Sequence, residues 1–469
     1  MNTFALRVIA LAFVLPPLLC KAASPSGGPG DVFLAGGSLG TCSELAPSAC
    51  LAPVPQRPDA RSAARFVFDR DGVERALSPR LWTAEGGPGV AEIEALLGHV
   101  QPRAGGRALS AREASALLEA VCVVTSRGGL RARRCPAGDA RAPWHRMLSD
   151  ERSALLAVFE QAQFDGGVRR VERADPANSR AAGGTRVLQA FVEAARTRSG
   201  RDRPRIAYVT ASAWDVFEPV DFYQATFDAL GAEAMWWPID AAINAALSGE
   251  ARCAELDALR EQELGLPGRA RIYPDLVEAQ ARACASPEAL AGLPLAVDGV
   301  FFAGGDQWRL RRALVDRHDR PNAWLESLRA ANARGVVVGG TSAGAAVQSG
   351  GAMLSNGDPL RTLLAGTRQA PPPAPGCGRA GRCPSGLDEA DLTWWAAGGT
   401  GLLPGVSVDT HFSERARELR LVALLAASDT PTGMGADEAS ALRVQGASDW
   451  HRVEAIGEAG GWVFVAAQG

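Results

Sequence analysis

Val336-Val337-Val338-Gly339-Gly340-Thr341-Ser342-Ala343-Gly344-Ala345-Ala346 runs a β-branched segment into glycines, a serine and a row of small residues. Three consecutive valines read as a strand buried on both faces, and the Gly/Ala run after Ser342 reads as a tight helix start. Gly340, Ser342 and Gly344 form G-x-S-x-G, the pattern of a strand-to-helix turn that exposes a serine hydroxyl above a sheet. Glycines at those positions let neighbouring backbones approach, and the Ala343 N–H is placed to face a developing oxyanion. A capping serine in a glycine-rich turn satisfies the same letters. The preceding strand is what favours a nucleophile.

Strand–helix alternation surrounds this segment. Asp31-Val32-Phe33-Leu34-Ala35 reads as a buried strand ending on Gly36-Gly37, with further strands expected at 205–210 and 299–303. Helices are expected through Val187, Leu188, Phe191 and Val192, at 222–230 and at 322–334. That order predicts an α/β fold, a mainly parallel sheet with helices on both faces and its site at the carboxyl edge. Near the C-terminus a strand is expected at 441–444, then a β-hairpin from 450–456 and 462–465. From about 42 to 174 the chain is Arg- and Ala-rich, with helical periodicity at 92–97 and 113–121. This stretch reads as an insertion without chemistry. A second insertion, at about 365–400, carries Pro371-Pro372-Pro373, Cys377, Cys383 and Trp394-Trp395.

The 469 residues contain 49 Lys plus Arg against 52 Asp plus Glu, and Lys21 is the only lysine. Arg7 and the apolar run Val8 to Leu19 read as a signal peptide over 1–22, too short to span a bilayer. Its removal leaves no lysine and excludes Schiff-base chemistry, a Walker-type loop and a Ser–Lys dyad. The net charge of −3 then becomes −5, so no basic field for nucleic acid is expected. A periplasmic or extracellular protein follows, with a lipoprotein modified at Cys20 as the minor alternative. The eight remaining cysteines fall in neighbouring couples, Cys42 with Cys50, Cys122 with Cys135, Cys253 with Cys284 and Cys377 with Cys383. Four local disulfides are the simplest reading, each stabilising by roughly 2–4 kcal/mol. The five histidines contain no zinc-type pair, so neither metal nor other cofactor is expected.

A serine needs a base, and the base needs an acid to orient it. Of the histidines, only His411 ends an expected strand, Val406-Ser407-Val408-Asp409-Thr410-His411-Phe412. Gly433-Met434-Gly435-Ala436-Asp437-Glu438 brings two acids to another strand end. At a third, Phe301-Phe302-Ala303-Gly304-Gly305-Asp306-Gln307 can turn N–H groups toward the same oxyanion.

These segments, with Arg415, Arg417 and Arg420 following His411, occur in the order and spacing of cyanophycinases. The chain thus resembles a family of serine peptidases related to aspartyl dipeptidases, over 31–37 and roughly from Gly184 to the C-terminus. The resemblance implies a class I glutamine amidotransferase-like, flavodoxin-like fold, forming one peptidase domain over 31–469 interrupted by the two insertions. It implies Ser342 as nucleophile, His411 as general base, Glu438 as orienting acid, and the Gly305 and Ala343 N–H groups as oxyanion hole. Gln307, Asp409, Thr410, Arg415 and Arg420 are implied to line the substrate pocket. There Asp409 would meet a substrate guanidinium, and the two arginines would fork onto substrate carboxylates. The implied partner is cyanophycin, an arginyl-poly-aspartate, cut to β-Asp-Arg dipeptides, with a homodimer left open. Thr410 departs from the pattern by standing where these enzymes usually carry glutamine.

Overall fold

The computed structural model describes residues 28–466 apart from 55–56, 83–84, 127–128, 137, 249–252 and 447–451. The leader with Cys20 lies outside the described residues, as do Trp450 and His451.

β1 (Val32–Ala35) opens the central sheet, and the chain then leaves it for the 42–174 stretch, where β2 (Val121–Ser126) and β3 (Gly129–Arg134) pair as a hairpin. Back in the main body come β4 (Arg205–Val209), β5 (Glu233–Trp236), β6 (Gly299–Phe302) and β7 (Val337–Thr341). A small sheet follows from β8 (Met353–Asn356), β9 (Thr367–Gln369) and β10 (Leu392–Trp395). Last are β11 (Val406–Thr410), β12 (Thr432–Ala436), β13 (Ser440–Gln445), β14 (Arg452–Gly457) and β15 (Gly461–Val465).

The central sheet has the order β14-β13-β1-β7-β6-β4-β5, parallel from β1 to β5, with β13 and β14 antiparallel at one edge. Its strands are hydrophobic on both faces because both are covered. Leu34, Val209, Val300 and Val338 enter one apolar cluster. The alternate residues Phe33, Tyr208, Phe301 and Val337 pack instead on Leu188, Phe191 and Val192 of the helix Ala182–Ser199, and on Phe227. The expected α/β architecture is therefore present, including the helix Ala323–Ala333, which Asn322 caps by accepting from the Leu325 N–H.

The expected C-terminal hairpin is not. β14 pairs with β13, whereas β15 crosses to a second sheet of order β11-β12-β15. Short connection made those two strands look like partners; β14 instead extends the central sheet, while Phe464 of β15 packs with Phe412 and Leu421. The strand bearing His411 belongs to this second sheet too, not to the central one.

The stretch from Cys42 to Ala174 begins and ends side by side, with Ser43 bridged to Ala174 and the Asp175 N–H donating to the Cys42 carbonyl at 2.8 Å. It builds its own apolar cluster, including Phe66, Ile93, Leu97, Leu118, Trp144 and Phe159. All four expected disulfides form: Cys42–Cys50, Cys122–Cys135, Cys253–Cys284 and Cys377–Cys383.

Candidate active site

Three neighbouring strands, β1, β7 and β6, end together at the carboxyl edge of the sheet, delivering Gly36-Gly37, Ser342 and Gly304-Gly305 to one place. Ser342 occupies φ 53°, ψ −118°, a conformation that costs about 1–3 kcal/mol and persists only where its surroundings enforce it. Here the Ser342 N–H donates to the Ala35 carbonyl at 2.8 Å, and the helix start Ala343–Ala346 sits on Gly340. A Cβ on Gly340 would meet the Gly344 carbonyl oxygen at 2.1 Å, and one on Gly344 the Phe302 carbonyl oxygen at 2.1 Å. Both glycines of the motif are thus dictated by backbone approach.

His411 follows β11, where its N–H donates to the Gly36 carbonyl at 2.8 Å and holds it at φ 48°. Gly37 provides the space beside its ring, since a Cβ there would lie 2.3 Å from His411 Cε1. Glu438 lies on the link from β12 to β13, the passage between the two sheets. The Glu414 carboxylate accepts from its N–H at 3.0 Å.

These placements set Ser342 Oγ 2.9 Å from His411 Nε2, and His411 Nδ1 2.5 Å from Glu438 Oε1. A carboxylate at Nδ1 selects the tautomer with its proton there, leaving Nε2 to accept from the serine. Burial holds the His411 pKa below its ordinary value of 6.5, opposed by Glu438, while Arg415 adds to the lowering. Burial alone would raise the Glu438 carboxyl, but hydrogen bonding from His411 and Ser38 outweighs it and leaves its pKa lowered. At neutral pH the imidazole is a free base beside an ionised acid.

Gly304-Gly305 faces the serine from β6. A Cβ on Gly304 would sit 3.4 Å from Ser342 Cβ, and one on Gly305, at φ 146°, would strike the Ser212 carbonyl oxygen at 2.4 Å. Ser212 fastens this turn, its hydroxyl lying 2.9 Å from the Ala303 carbonyl oxygen and 2.7 Å from that of Gly304. Among the described residues neither the Gly305 nor the Ala343 N–H has an acceptor. Two donors next to a nucleophile and free of internal partners suit an oxyanion.

The expected pocket residues are divided. Gln307 stands at the rim, its amide donating to the Leu354 carbonyl at 2.9 Å. Arg415 is exposed, with no ion pair among the described residues, and close enough to influence both His411 and Glu438. Thr410 is buried, its carbonyl accepting from Arg417. Asp409 and Arg420, expected to face substrate, are both buried, and their charges meet each other. Arg420 Nε and Nη2 donate to Asp409 at 2.7 and 2.6 Å, and Arg420 Nη1 donates to the Gly357 carbonyl. The pair is bidentate, and Arg417 Nη1 adds a third contact to Asp409 at 3.4 Å.

Arg417, which the motif contains without an assigned role, donates to the Thr410 carbonyl at 2.7 Å and lies 3.4 Å from Asp409 Oδ1, while its buried Nε has no partner among the described residues. Burial, with Arg420 nearby, lowers its pKa to about 10. Ser38 and Ser212 were also missed. Their only sequence signal is a serine just beyond a strand end, which is common in turns. Asp437 is structural, accepting from the Ser413 and Gly460 N–H groups at 2.9 and 3.2 Å.

No protein-family profile matches the chain. Over 141 residues it is 36% identical to the cyanophycinases of Synechococcus elongatus and Thermosynechococcus vestitus, covering 30% of this chain and 34% of each relative. Over 156 residues it is 34% identical to the cyanophycinase of Nostoc sp., covering 33% of this chain and 41% of that protein. The matched part of the chain thus spans about a third to two-fifths of the curated relatives' length. Among solved structures, a peptidase from an acI-B1 Actinobacterium aligns at 16% identity and TM-score 0.35, over 60% of this chain and 84% of that one. The resemblance carried by the motifs is therefore also found when the chain is aligned with curated cyanophycinases.

Proposed function

We propose that this protein is a secreted serine exopeptidase resembling cyanophycinase, releasing β-Asp-Arg dipeptides from cyanophycin through an acyl-enzyme. The hydrogen-bonded row Ser342–His411–Glu438, at 2.9 and 2.5 Å, carries this reading. His411 Nε2 takes the serine proton as Oγ attacks the scissile carbonyl, and the new oxyanion accepts from the Gly305 and Ala343 N–H groups. Collapse breaks the C–N bond, and the imidazolium returns its proton to the leaving amine. Water, deprotonated by His411, then adds to the ester, and as the C–O bond breaks the imidazolium returns that proton to Ser342 Oγ. Glu438 stays ionised throughout and stabilises the imidazolium.

A second reading is a dipeptidase or isoaspartyl peptidase acting on other acidic peptides. The Asp409–Arg420 pair favours it, since the acid expected to read a substrate guanidinium is already engaged while the exposed Arg415 suits a carboxylate. Secretion accords with the four disulfides, which point to an oxidising compartment. No helix among the described residues is long and apolar enough to cross a membrane.

Incubation with purified cyanophycin separates the two readings. Soluble β-Asp-Arg, identified by mass spectrometry and absent with Ser342→Ala, is the expected result. Turnover of short aspartyl peptides without attack on cyanophycin establishes the second reading instead. Turnover of neither leaves a non-catalytic binding protein on this fold.

A further inference from the structure

Positive charge is concentrated in the 42–174 stretch, which holds 19 arginines against 16 Asp and Glu in a chain of net charge −3. Part of it gathers around a cleft of about 470 Å³, between the helices Val90–Ala104 and Ala111–Glu119 and the β2–β3 hairpin. His99 and Arg103 stand one turn apart on the first helix, Arg107 follows it, and Arg134 enters from β3 opposite Val121. Leu109 and Leu117 contribute an apolar floor. Glu113 is the one acid lining the cleft among the described residues, and its carboxylate caps its own helix, accepting from the Ser110 N–H at 2.8 Å and the hydroxyl at 2.7 Å.

Among the described residues Arg103 and Arg107 donate only to backbone carbonyls, those of His99 at 2.7 Å and Ala104 at 3.3 Å. None of Arg103, Arg107 and Arg134 forms an ion pair with a carboxylate among the described residues. A larger cleft, about 800 Å³ beside the helix Gln307–Leu314, shows the opposite arrangement. There Arg311 meets Asp319, Arg312 meets Glu263 and Arg320 meets Asp316, at 2.8, 2.6 and 2.8 Å. That cleft neutralises most of its charge internally. The smaller one does not.

We propose that the cleft between Arg103, Arg107 and Arg134 is a second binding site, which takes carboxylates of an acidic peptide. Guanidinium forks match carboxylates, the floor takes methylene and backbone surface, and the volume suits a few residues rather than one small anion. The site rests on the second reading, action on other acidic peptides, and its role is to retain such a chain apart from the catalytic serine.

Full-length Ser342→Ala protein titrated with N-acetylated α-aspartate peptides, one to five residues long, tests it by calorimetry. Affinity is expected to rise with length, weaken with salt, and fall about tenfold in the exposed double replacement Arg103→Gln/Arg107→Gln. Arg134→Gln alone should give a smaller loss in the same direction. Binding that ignores peptide length, or that survives the double replacement unchanged, overturns the site. Turnover of short aspartyl peptides by protein with Ser342 intact is measured alongside. Its absence with length-dependent binding retained overturns the second reading and leaves the site standing.

Discussion

In the proposed mechanism His411 acts as a base only while neutral, and burial holds its pKa below 6.5 against the opposing pull of Glu438. The acid limb of kcat/KM should therefore fall below pH 6.5 and not above it, because activity is lost only when the imidazole gains a proton. Glu438→Gln removes the group that raises this pKa, so the limb moves to lower pH. It also removes the tautomer preference, and kcat should drop on the order of 10⁴-fold. A pH–rate series on both proteins checks the two effects together; a limb moving upward would show that Glu438 does not act on the imidazole. At this scale the sequence was most legible. Strand ends singled out Ser342 and His411 and left Asp437 and Glu438 as alternatives; only the family resemblance chose Glu438, and the three side chains do lie in one hydrogen-bonded row. Ser38 and Ser212 were not, because their contacts cross between segments far apart in the chain. Arg417 turns back onto Thr410 and Asp409 of the strand just before it, and an arginine in a motif does not by itself show that its head is buried.

The second sheet exists to carry His411 and Glu438 to the edge of the first, and the buried Asp409–Arg420 pair ties β11 to the helix Glu418–Ser428. Asp409→Asn should lower unfolding stability by about 3–5 kcal/mol, since Arg420 then lies buried and unpaired. The loss belongs in denaturant melts and not in KM. A raised KM at unchanged stability would return Asp409 to the substrate pocket. Gly37→Ala tests the join between the sheets, because a Cβ would enter the imidazole at 2.3 Å from a backbone at φ 114°. We expect kcat to fall steeply, with a stability loss of about 1–3 kcal/mol read from thermal melts. The parallel strands were readable as runs of Val, Phe and Ile because they are covered on both faces. The pairing of β14 and β15 was not, since proximity in sequence suggests a hairpin and only long-range packing of Phe464 on Phe412 decides otherwise.

The whole molecule is held together across its least legible boundary by buried arginines. Arg269 reaches Glu160 and Asp215, each at 2.8 Å, and Arg169 reaches Asp221 and Asp275 at 2.5 and 2.8 Å. Composition marks 42–174 as different, but nothing in it says which arginines are fasteners and which face solvent. Arg269→Ala leaves two carboxylates facing a void, so a loss of about 3–5 kcal/mol is expected in denaturant unfolding. Stability equal to the parent would mean that the 42–174 stretch is not anchored there. All of this serves one chemical claim, a serine made nucleophilic by its neighbours, and labelling with a fluorophosphonate reagent followed by peptide mass spectrometry tests it most directly. A single adduct on Ser342, strongly slowed by His411→Ala and absent from an inactive Ser342→Ala, is the predicted result. An unlabelled Ser342, together with full peptidase activity in Ser342→Ala, would contradict it.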